Sequence, residues 1–233
     1  MKILEILSPN KFLALSRKLR IFLGCATIIF LILGLYFALI SSPEDYQQGI
    51  MVRVMYIHVP SAWLSLAIYL MIGFLSISYL IWSARFAFFI ALAAAPIGAC
   101  FCVITLLTGM FWGKPIWGTW WVWDARLTSM FILFIFYLTF LIVSSSSSNL
   151  RKVEKPSSII AILGMINVPI VKFSVNLWYS LHQGSTFIKY GGPSLDSSML
   201  FPLILMFFAN FFLFIFLLSF RIETIYNKNR IKH

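Results

Sequence analysis

The residues with the clearest chemistry are two histidines, His58 in MYIHVPSAW and His182 in NLWYSLHQGSTF, which flank a tryptophan-rich stretch along the chain. Imidazole ligates iron, copper, zinc and nickel. Two imidazoles without a thiolate or carboxylate cluster are too few for a structural zinc site. They are the right number of axial ligands for a six-coordinate haem iron, whose porphyrin supplies the other four nitrogens. A single histidine at the end of an apolar run is more often an interfacial hydrogen-bonding residue, and this alternative stays open for each.

The stretch between the two histidines, WGKPIWGTWWVWDARLT, contains five of the chain's eight tryptophans within twelve residues. If the segment is helical after Pro115, spacings of three and four residues place the rings on one broad face of an amphipathic helix that lies flat at a membrane interface. The alternative is an ordinary aromatic belt, which contributes roughly one or two tryptophans per helix end. Five exceed a belt and favour a platform for a large, flat, amphipathic ligand. The five are Trp112, Trp117, Trp120, Trp121 and Trp123.

Charged residues close to this stretch have two interpretations each. Asp124 is predicted to cap the following helix by accepting backbone N–H bonds, which is compatible with a role in shaping the tryptophan segment. Arg126 can extend its charged end to water from the same helix end. Alternatively, Arg126, Arg53 or Lys172 pairs with carboxylates of the ligand. The sequence leaves the choice among these cations open.

The elements that must position these residues are long apolar runs. The chain has 233 residues, is 61% hydrophobic and 11% charged, and has a mean hydropathy of +0.94, outside the range of soluble domains. Crossing a bilayer takes about 20 helical residues, and lipid offers no partners for backbone groups, so runs without period-2 alternation must be helices. The sequence therefore predicts an all-α integral membrane protein, with residues 1–233 forming one domain. Its six spans are predicted at about 21–40, 59–82, 86–111, 127–143, 157–175 and 199–220.

The net charge of +11 orients these spans. Thirteen of the 18 lysines and arginines lie at the termini and in alternate turns, and five lie in the other loops or at the span end next to them. This positive-inside distribution predicts that both termini are cytoplasmic. It places the tryptophan segment, His58 and His182 together on the outer face, and it gives no support to a nucleic-acid partner.

The run from Trp112 to Thr128 resembles the tryptophan-rich WWD signature of haem-handling membrane proteins. The chain is similar, over nearly its whole length, to the cytochrome c maturation protein C family (CcmC, the haem exporter protein C family). His58 and His182 fall where that family has paired outer histidines, and six spans with cytoplasmic ends agree with it. The larger WWD proteins, the haem lyase CcmF and the CcsA-type synthases, carry more spans and additional histidines that this chain lacks.

The resemblance implies a haem-binding and haem-delivery component on the outer face of the bacterial cytoplasmic (inner) membrane. Haem b is expected to bind non-covalently and transiently, with His58 and His182 as axial ligands of the iron. The implied partners are the haem chaperone CcmE, the ABC-type proteins CcmA and CcmB, and the small membrane protein CcmD. The implied cofactor-binding residues are the two histidines together with Trp112, Trp117, Trp120, Trp121, Trp123, Asp124 and Arg126.

Missing motifs narrow the function further. The sequence contains no CxxCH for covalent haem attachment and no CxxC. It also lacks the G-x-x-x-x-G-K-[ST] phosphate loop, so we expect no catalytic residues here and assign ATP hydrolysis to a partner.

An electron-transfer subunit with a bis-histidine b-type haem is the alternative function. That class normally places paired histidines deep within spans, whereas His182 lies in a polar loop. A permease is disfavoured because we find no internal repeats, and because Lys172, near the end of the fifth span, is the one charged residue inside the predicted spans.

Overall fold

Six long helices follow one another in the computed structural model, which describes residues 8–178 and 195–230. Each of the six is long and apolar enough to cross a membrane, and the described residues contain no β-strand. The predicted all-α architecture with six spans is therefore confirmed. The helices are α1 (Pro9–Tyr36), α2 (Met55–Trp82), α3 (Arg85–Trp117), α4 (Ala125–Ser145), α5 (Leu150–Leu177) and α6 (Ser197–Arg230).

The helices continue beyond the predicted apolar runs because backbone hydrogen bonding, not hydropathy, determines where a helix ends. Asp124 Oδ1 accepts a hydrogen bond of 2.8 Å from the backbone N–H of Leu127, so the predicted N-cap of α4 is confirmed. Asn149 caps α5 in the same way, through the N–H of Arg151. At the end of α1 the chain passes through a π-helical turn, Phe37–Ser41, and it enters α2 through a short 3-10 helix, Ile50–Val54.

The tryptophan segment is not the flat interfacial helix that its spacing predicted. Helix α3 continues through Pro115 and ends at Trp117, where Gly118 adopts a left-handed conformation with φ of 75°. Glycine tolerates this conformation without steric cost and commonly terminates helices. The side chain of Lys114 closes the helix end by donating to the Gly118 carbonyl at 2.8 Å. Trp112 and Trp117 therefore lie on α3, whereas the other three tryptophans lie on the irregular chain of residues 119–124 that leads into α4.

The bundle core contains two fully buried tyrosines, Tyr69 of α2 and Tyr137 of α4. Their rings pack edge to face with centroids 4.7 Å apart. The Tyr137 hydroxyl donates to the Ser65 carbonyl at 2.6 Å. Each ring enters space left by a glycine: a Cβ added to Gly98 or Gly164 would lie 2.3 or 2.2 Å from a tyrosine hydroxyl oxygen. These glycines let α3 and α5 approach the tyrosines closely.

The end of the bundle at which α1, α3 and α5 begin is held by ion pairs. Glu154 is 2% exposed and accepts two hydrogen bonds from the Arg85 guanidinium, at 3.0 and 2.7 Å, and one from the Tyr79 hydroxyl at 3.0 Å. Arg20 of α1 pairs with Glu223 of α6 at the same end. Buried carboxylates are tolerated when they are paired and hydrogen-bonded in this way. The opposite end, where α2, α4 and α6 begin, carries the candidate site.

Candidate functional site

A cavity of about 750 Å³ opens at the end of the bundle where α2, α4 and α6 begin. Its volume is in the range of about 300–1,000 Å³ that is typical of cofactor and small-molecule sites. Five helices, α2 to α6, contribute to its walls, and the loop after α1 lies against it. The α2 residues repeat every three or four positions, so they form a single helix face. They are Met55, His58, Val59, Ala62, Trp63 and Leu66.

His58 lies in the first turn of α2, and its imidazole is held against α3. Its Nδ1 is 3.1 Å from the hydroxyl oxygen of Thr108. The ring meets Trp112 edge to face, with centroids 5.6 Å apart. Gly109 completes the contact, because a Cβ at this position would lie 3.2 Å from His58 Cε1. The side chain of His58, the predicted axial ligand, therefore lies in the cavity wall. Three residues of the next helix set its orientation.

Trp112 is held in turn by the loop between α1 and α2. Its indole Nε1 donates to Gln48 Oε1 at 2.8 Å. Gln48 belongs to a compact turn in which Asp45 Oδ1 accepts the backbone N–H groups of Gln47 and Gln48, each at 2.9 Å. Sequence reasoning missed Gln48. An Asp followed four residues later by a Gly signals a turn, but no local pattern indicates a partner 64 positions away.

The five tryptophans divide into two groups. Trp112, Trp117 and Trp121 line the cavity. The indole N–H of Trp121 is buried and has no hydrogen-bond partner among residues 8–178 and 195–230, and its ring packs edge to face against Trp123 at 5.4 Å. Trp120 and Trp123 do not line the cavity and are 47% and 74% exposed. Three of the five tryptophans of the segment therefore lie in cavity walls and two lie on the surface, in place of one continuous aromatic face.

Two of the three candidate cations line the cavity, and the third does not. Arg126 and Lys172 line the cavity, from α4 and α5. Arg53 does not; its guanidinium donates to the Leu39 carbonyl at 2.6 Å and to the Ser42 carbonyl at 3.1 Å, at the π-helical end of α1. Arg53 thus satisfies carbonyls that a helix end leaves without backbone partners. Asp124 is 8% exposed and, besides capping α4, attracts Arg126 electrostatically.

Acidic residues line a different part of the cavity. Glu44 and Asp45 lie on the loop after α1, and Asp196 lies just before α6. Asp196 Oδ1 accepts hydrogen bonds from the Ser198 hydroxyl at 2.6 Å and the Ser198 backbone N–H at 2.8 Å. These bonds lower the pKa of the Asp196 carboxyl, so it is ionised at neutral pH. The two cations thus come from α4 and α5, which pack on each other, whereas the acidic residues come from the loop after α1 and from the start of α6, which packs on α1.

His182 lies between residues 178 and 195, outside the residues that the structure describes. The chain resumes at Leu195, which lines the cavity together with Asp196. Within residues 8–178 and 195–230, no three His, Cys, Asp or Glu side chains cluster as a metal site made by protein ligands alone.

The helices and the cavity define a class: a multi-pass helical membrane protein with an aromatic, partly charged binding cavity at one end of its bundle. The family model "CcmC: Heme exporter protein C" matches residues 2–233. The chain belongs to this CcmC family.

Curated relatives agree with this assignment. "Heme exporter protein C" of Bradyrhizobium diazoefficiens is 43% identical over 215 residues, which cover 92% of this chain and 81% of the relative. "Heme exporter protein C" of Haemophilus influenzae is 42% identical over 191 residues, covering 82% and 78%. A "Putative cytochrome c biosynthesis ccmC-like mitochondrial protein" of Marchantia polymorpha is 45% identical over 181 residues, covering 78% and 76%.

Proposed function

We propose that this protein binds haem b non-covalently in the cavity and delivers it to the haem chaperone CcmE during cytochrome c biogenesis. The observation that carries the proposal is the placement of His58, which residues of α3 hold in the wall of a cavity lined by Trp63 and by three tryptophans of the tryptophan-rich segment. The names of the curated relatives, which refer to haem export and cytochrome c biosynthesis, support the same role.

The residues present fit haem. A macrocycle is flat and apolar and carries two carboxylates, so it needs aromatic walls and a few well-placed donors. Trp112, Trp117 and Trp121 provide the walls. The buried N–H of Trp121 provides a donor that the described part of the chain leaves unsatisfied, which is a cost that a ligand acceptor would remove.

The distribution of charge favours one orientation of the ligand. The haem carboxylates are expected to pair with Arg126 and Lys172, because charge-assisted bonds of this type are the stronger ones. The opposite orientation would bring them to Glu44, Asp45 and Asp196, where like charges repel. Arg126 and Lys172 are thus assigned to the carboxylates, and Arg53 to the end of α1.

The iron of bound haem would take His58 as one axial ligand, and His182 is proposed as the other. Support for His182 comes from the described end of its segment, since Leu195 and Asp196 line the cavity. Trp120, Trp123 and Asp124 do not line the cavity, and we assign them to the shape of the segment around it. Asp124 caps α4 and so sets the direction of the chain that carries Trp121 into the wall.

Transient binding and delivery agree with the absence of a covalent attachment motif. The three cysteines, Cys25, Cys100 and Cys102, are free, and none of them lines the cavity. Haem held by histidine ligation and packing can be transferred to an acceptor without breaking a thioether bond. ATP hydrolysis would belong to CcmA, which works with CcmB, and CcmD would complete the assembly. The positive-inside distribution of lysine and arginine supports a cavity on the periplasmic side of the inner membrane and cytoplasmic termini.

A transfer experiment separates this function from that of a bis-histidine electron-transfer subunit. The haem-loaded full chain, in detergent with its partner subunits, is mixed with apo-CcmE and the two are then separated. A delivery protein is expected to lose most of its haem to CcmE, with the absorption spectrum moving to the chaperone fraction. Haem that stayed with this chain through cycles of reduction and oxidation would favour the electron-transfer function.

The matched variant for this experiment is Trp121→Phe, which keeps an aromatic wall but removes the N–H donor. It is expected to load less haem, by roughly three- to tenfold, because one neutral hydrogen bond is worth about 0.5–1.5 kcal/mol. Trp120→Phe changes an exposed ring outside the cavity and is the control for haem content. Equal haem contents in the two variants would contradict the assignment of Trp121 to the binding site.

A further inference from the structure

The hydroxyl of Thr108 lies between a backbone carbonyl and the imidazole of His58. It lies 2.6 Å from the carbonyl oxygen of Ile104, four residues earlier on α3, and 3.2 Å from that of Thr105. On its other side it is 3.1 Å from His58 Nδ1. Because a threonine hydroxyl has one hydrogen and two acceptor lone pairs, these distances determine which atom donates in each bond.

The hydrogen of the Thr108 hydroxyl is donated to the Ile104 carbonyl oxygen. A carbonyl oxygen can only accept, and a 2.6 Å separation requires a donor, so Thr108 donates to Ile104. Other threonines on these helices bond to the carbonyl four residues earlier in the same way, which makes this the usual helical geometry. They are Thr27, Thr105, Thr139 and Thr224. Thr108 Oγ1 must then accept from His58, so the proton of the neutral imidazole is on Nδ1.

An imidazole protonated at Nδ1 carries its lone pair on Nε2, the nitrogen that would ligate a metal. In metal sites, the hydrogen bond made by one ring nitrogen sets the tautomer and the ring orientation of the other. Gly109 also contributes to the position of the ring, because it leaves room for the edge of the His58 imidazole. Trp112 restricts the ring from a third side.

We propose that Thr108 is a positioning residue, which holds His58 as the Nδ1–H tautomer so that the lone pair that would ligate haem iron is on Nε2. The inference rests on the proposed function and adds a specific residue to it. Thr108 does not touch the ligand in this role; it acts through the imidazole. It lets the protein prepare an axial ligand before haem arrives, which lowers the cost of ordering that ligand on binding.

The test compares Thr108→Val, which removes the hydroxyl and keeps the shape, with Thr108→Ser, which restores the hydroxyl. Thr105→Val is the matched control for the tautomer readout alone, because Thr105 lines the same cavity one turn earlier and makes the same bond to its own helix. All variants are made in the full chain. The first readout is the ¹⁵N nuclear magnetic resonance spectrum of His58 in the haem-free protein, which distinguishes Nδ1–H from Nε2–H.

We expect the wild type, Thr108→Ser and Thr105→Val to show the Nδ1–H tautomer, and Thr108→Val to shift toward Nε2–H. Haem binding to Thr108→Val should weaken roughly three- to tenfold, as expected for one lost neutral hydrogen bond. The reduction potential of its bound haem should rise, because an imidazole without this acceptor is a weaker donor to iron. Thr108→Ser should recover both properties, a result that a merely structural role for the side chain does not predict.

Two negative outcomes are distinguishable. If the wild type binds haem and Thr108→Val matches it in tautomer, affinity and potential, the assignment of Thr108 is wrong and the haem function stands. If the wild type binds no haem in the presence of its partners, the proposed function is wrong, and the positioning role fails with it.

Discussion

His58→Ala and His182→Ala should each abolish the low-spin, bis-histidine absorption spectrum of the haem-loaded protein. Removing one axial ligand leaves the iron with five ligands, and five-coordinate haem is ordinarily high-spin. We also expect the amount of haem that is purified with the chain to fall severalfold, because packing and carboxylate contacts remain but an iron–nitrogen bond is lost. The measurement is the absorption spectrum of each purified variant, oxidised and reduced.

The chain provides its own control for this experiment. It contains three histidines, and the third, His233, is the last residue of the sequence. His233→Ala should leave the spectrum and the haem content unchanged. A low-spin spectrum that persisted in both His58→Ala and His182→Ala would contradict the assignment of these residues as ligands. If His233→Ala also lost the low-spin spectrum, the loss in the other two variants could not be assigned to axial ligation.

Arg126→Gln should weaken haem binding by about one to two orders of magnitude. Arg126 lines the cavity from α4, whereas Glu44 and Asp45 line it from the loop after α1, and a charge-assisted bond to a carboxylate is worth about 1.5–3 kcal/mol. Glutamine keeps much of the length of the side chain and a polar end but removes the charge. The measurement is a haem titration of the haem-free protein, followed by the absorption change on binding.

The control is Arg53→Gln, which removes the same charge at the same end of the bundle. Arg53 bonds to the carbonyls of Leu39 and Ser42 and does not line the cavity, so haem affinity should change by no more than about twofold. Its expected effect is a lower thermal stability, since the carbonyls at the end of α1 lose their donors. Equal losses of haem affinity in the two variants would show that only overall charge matters. A loss in Arg53→Gln alone would reverse the assignment.

The six helices could be predicted from the sequence because lipid imposes one solution on the backbone. Apolar runs of this length must satisfy their own N–H and C=O groups, and a helix does so within the run. The N-cap at Asp124 was also predictable, because a cap depends on residues within three positions of one another. Local rules of this type do not require knowledge of the tertiary structure.

The path of the tryptophan segment could not be predicted from spacing alone. Spacings of three and four residues between tryptophans are typical of a helix. However, α3 ends at Trp117, before Gly118 and before three of the five tryptophans. Pro115 did not mark the start of a new helix; it lies in the last turn of an existing one. The interpretation of the segment as one aromatic face was therefore wrong in its geometry, although three of its tryptophans line the cavity.

The residues that hold the site were not predictable for a different reason. The bond between Thr108 and His58 joins positions 50 residues apart, and the bond between Gln48 and Trp112 joins positions 64 apart. Such contacts follow from how α2 packs on α3 and from where the loop after α1 folds. The same packing separated Arg126 and Lys172 from Arg53, a choice that the sequence left open.

The most direct test of the central claim is a cryo-electron microscopy structure of the full chain loaded with haem, together with its partner subunits. The predicted result is a macrocycle inside the cavity, with its iron between His58 and His182 and with Trp112, Trp117 and Trp121 against it. A macrocycle that lay outside the cavity against Trp120 and Trp123, or an iron that neither histidine ligated, would contradict the claim.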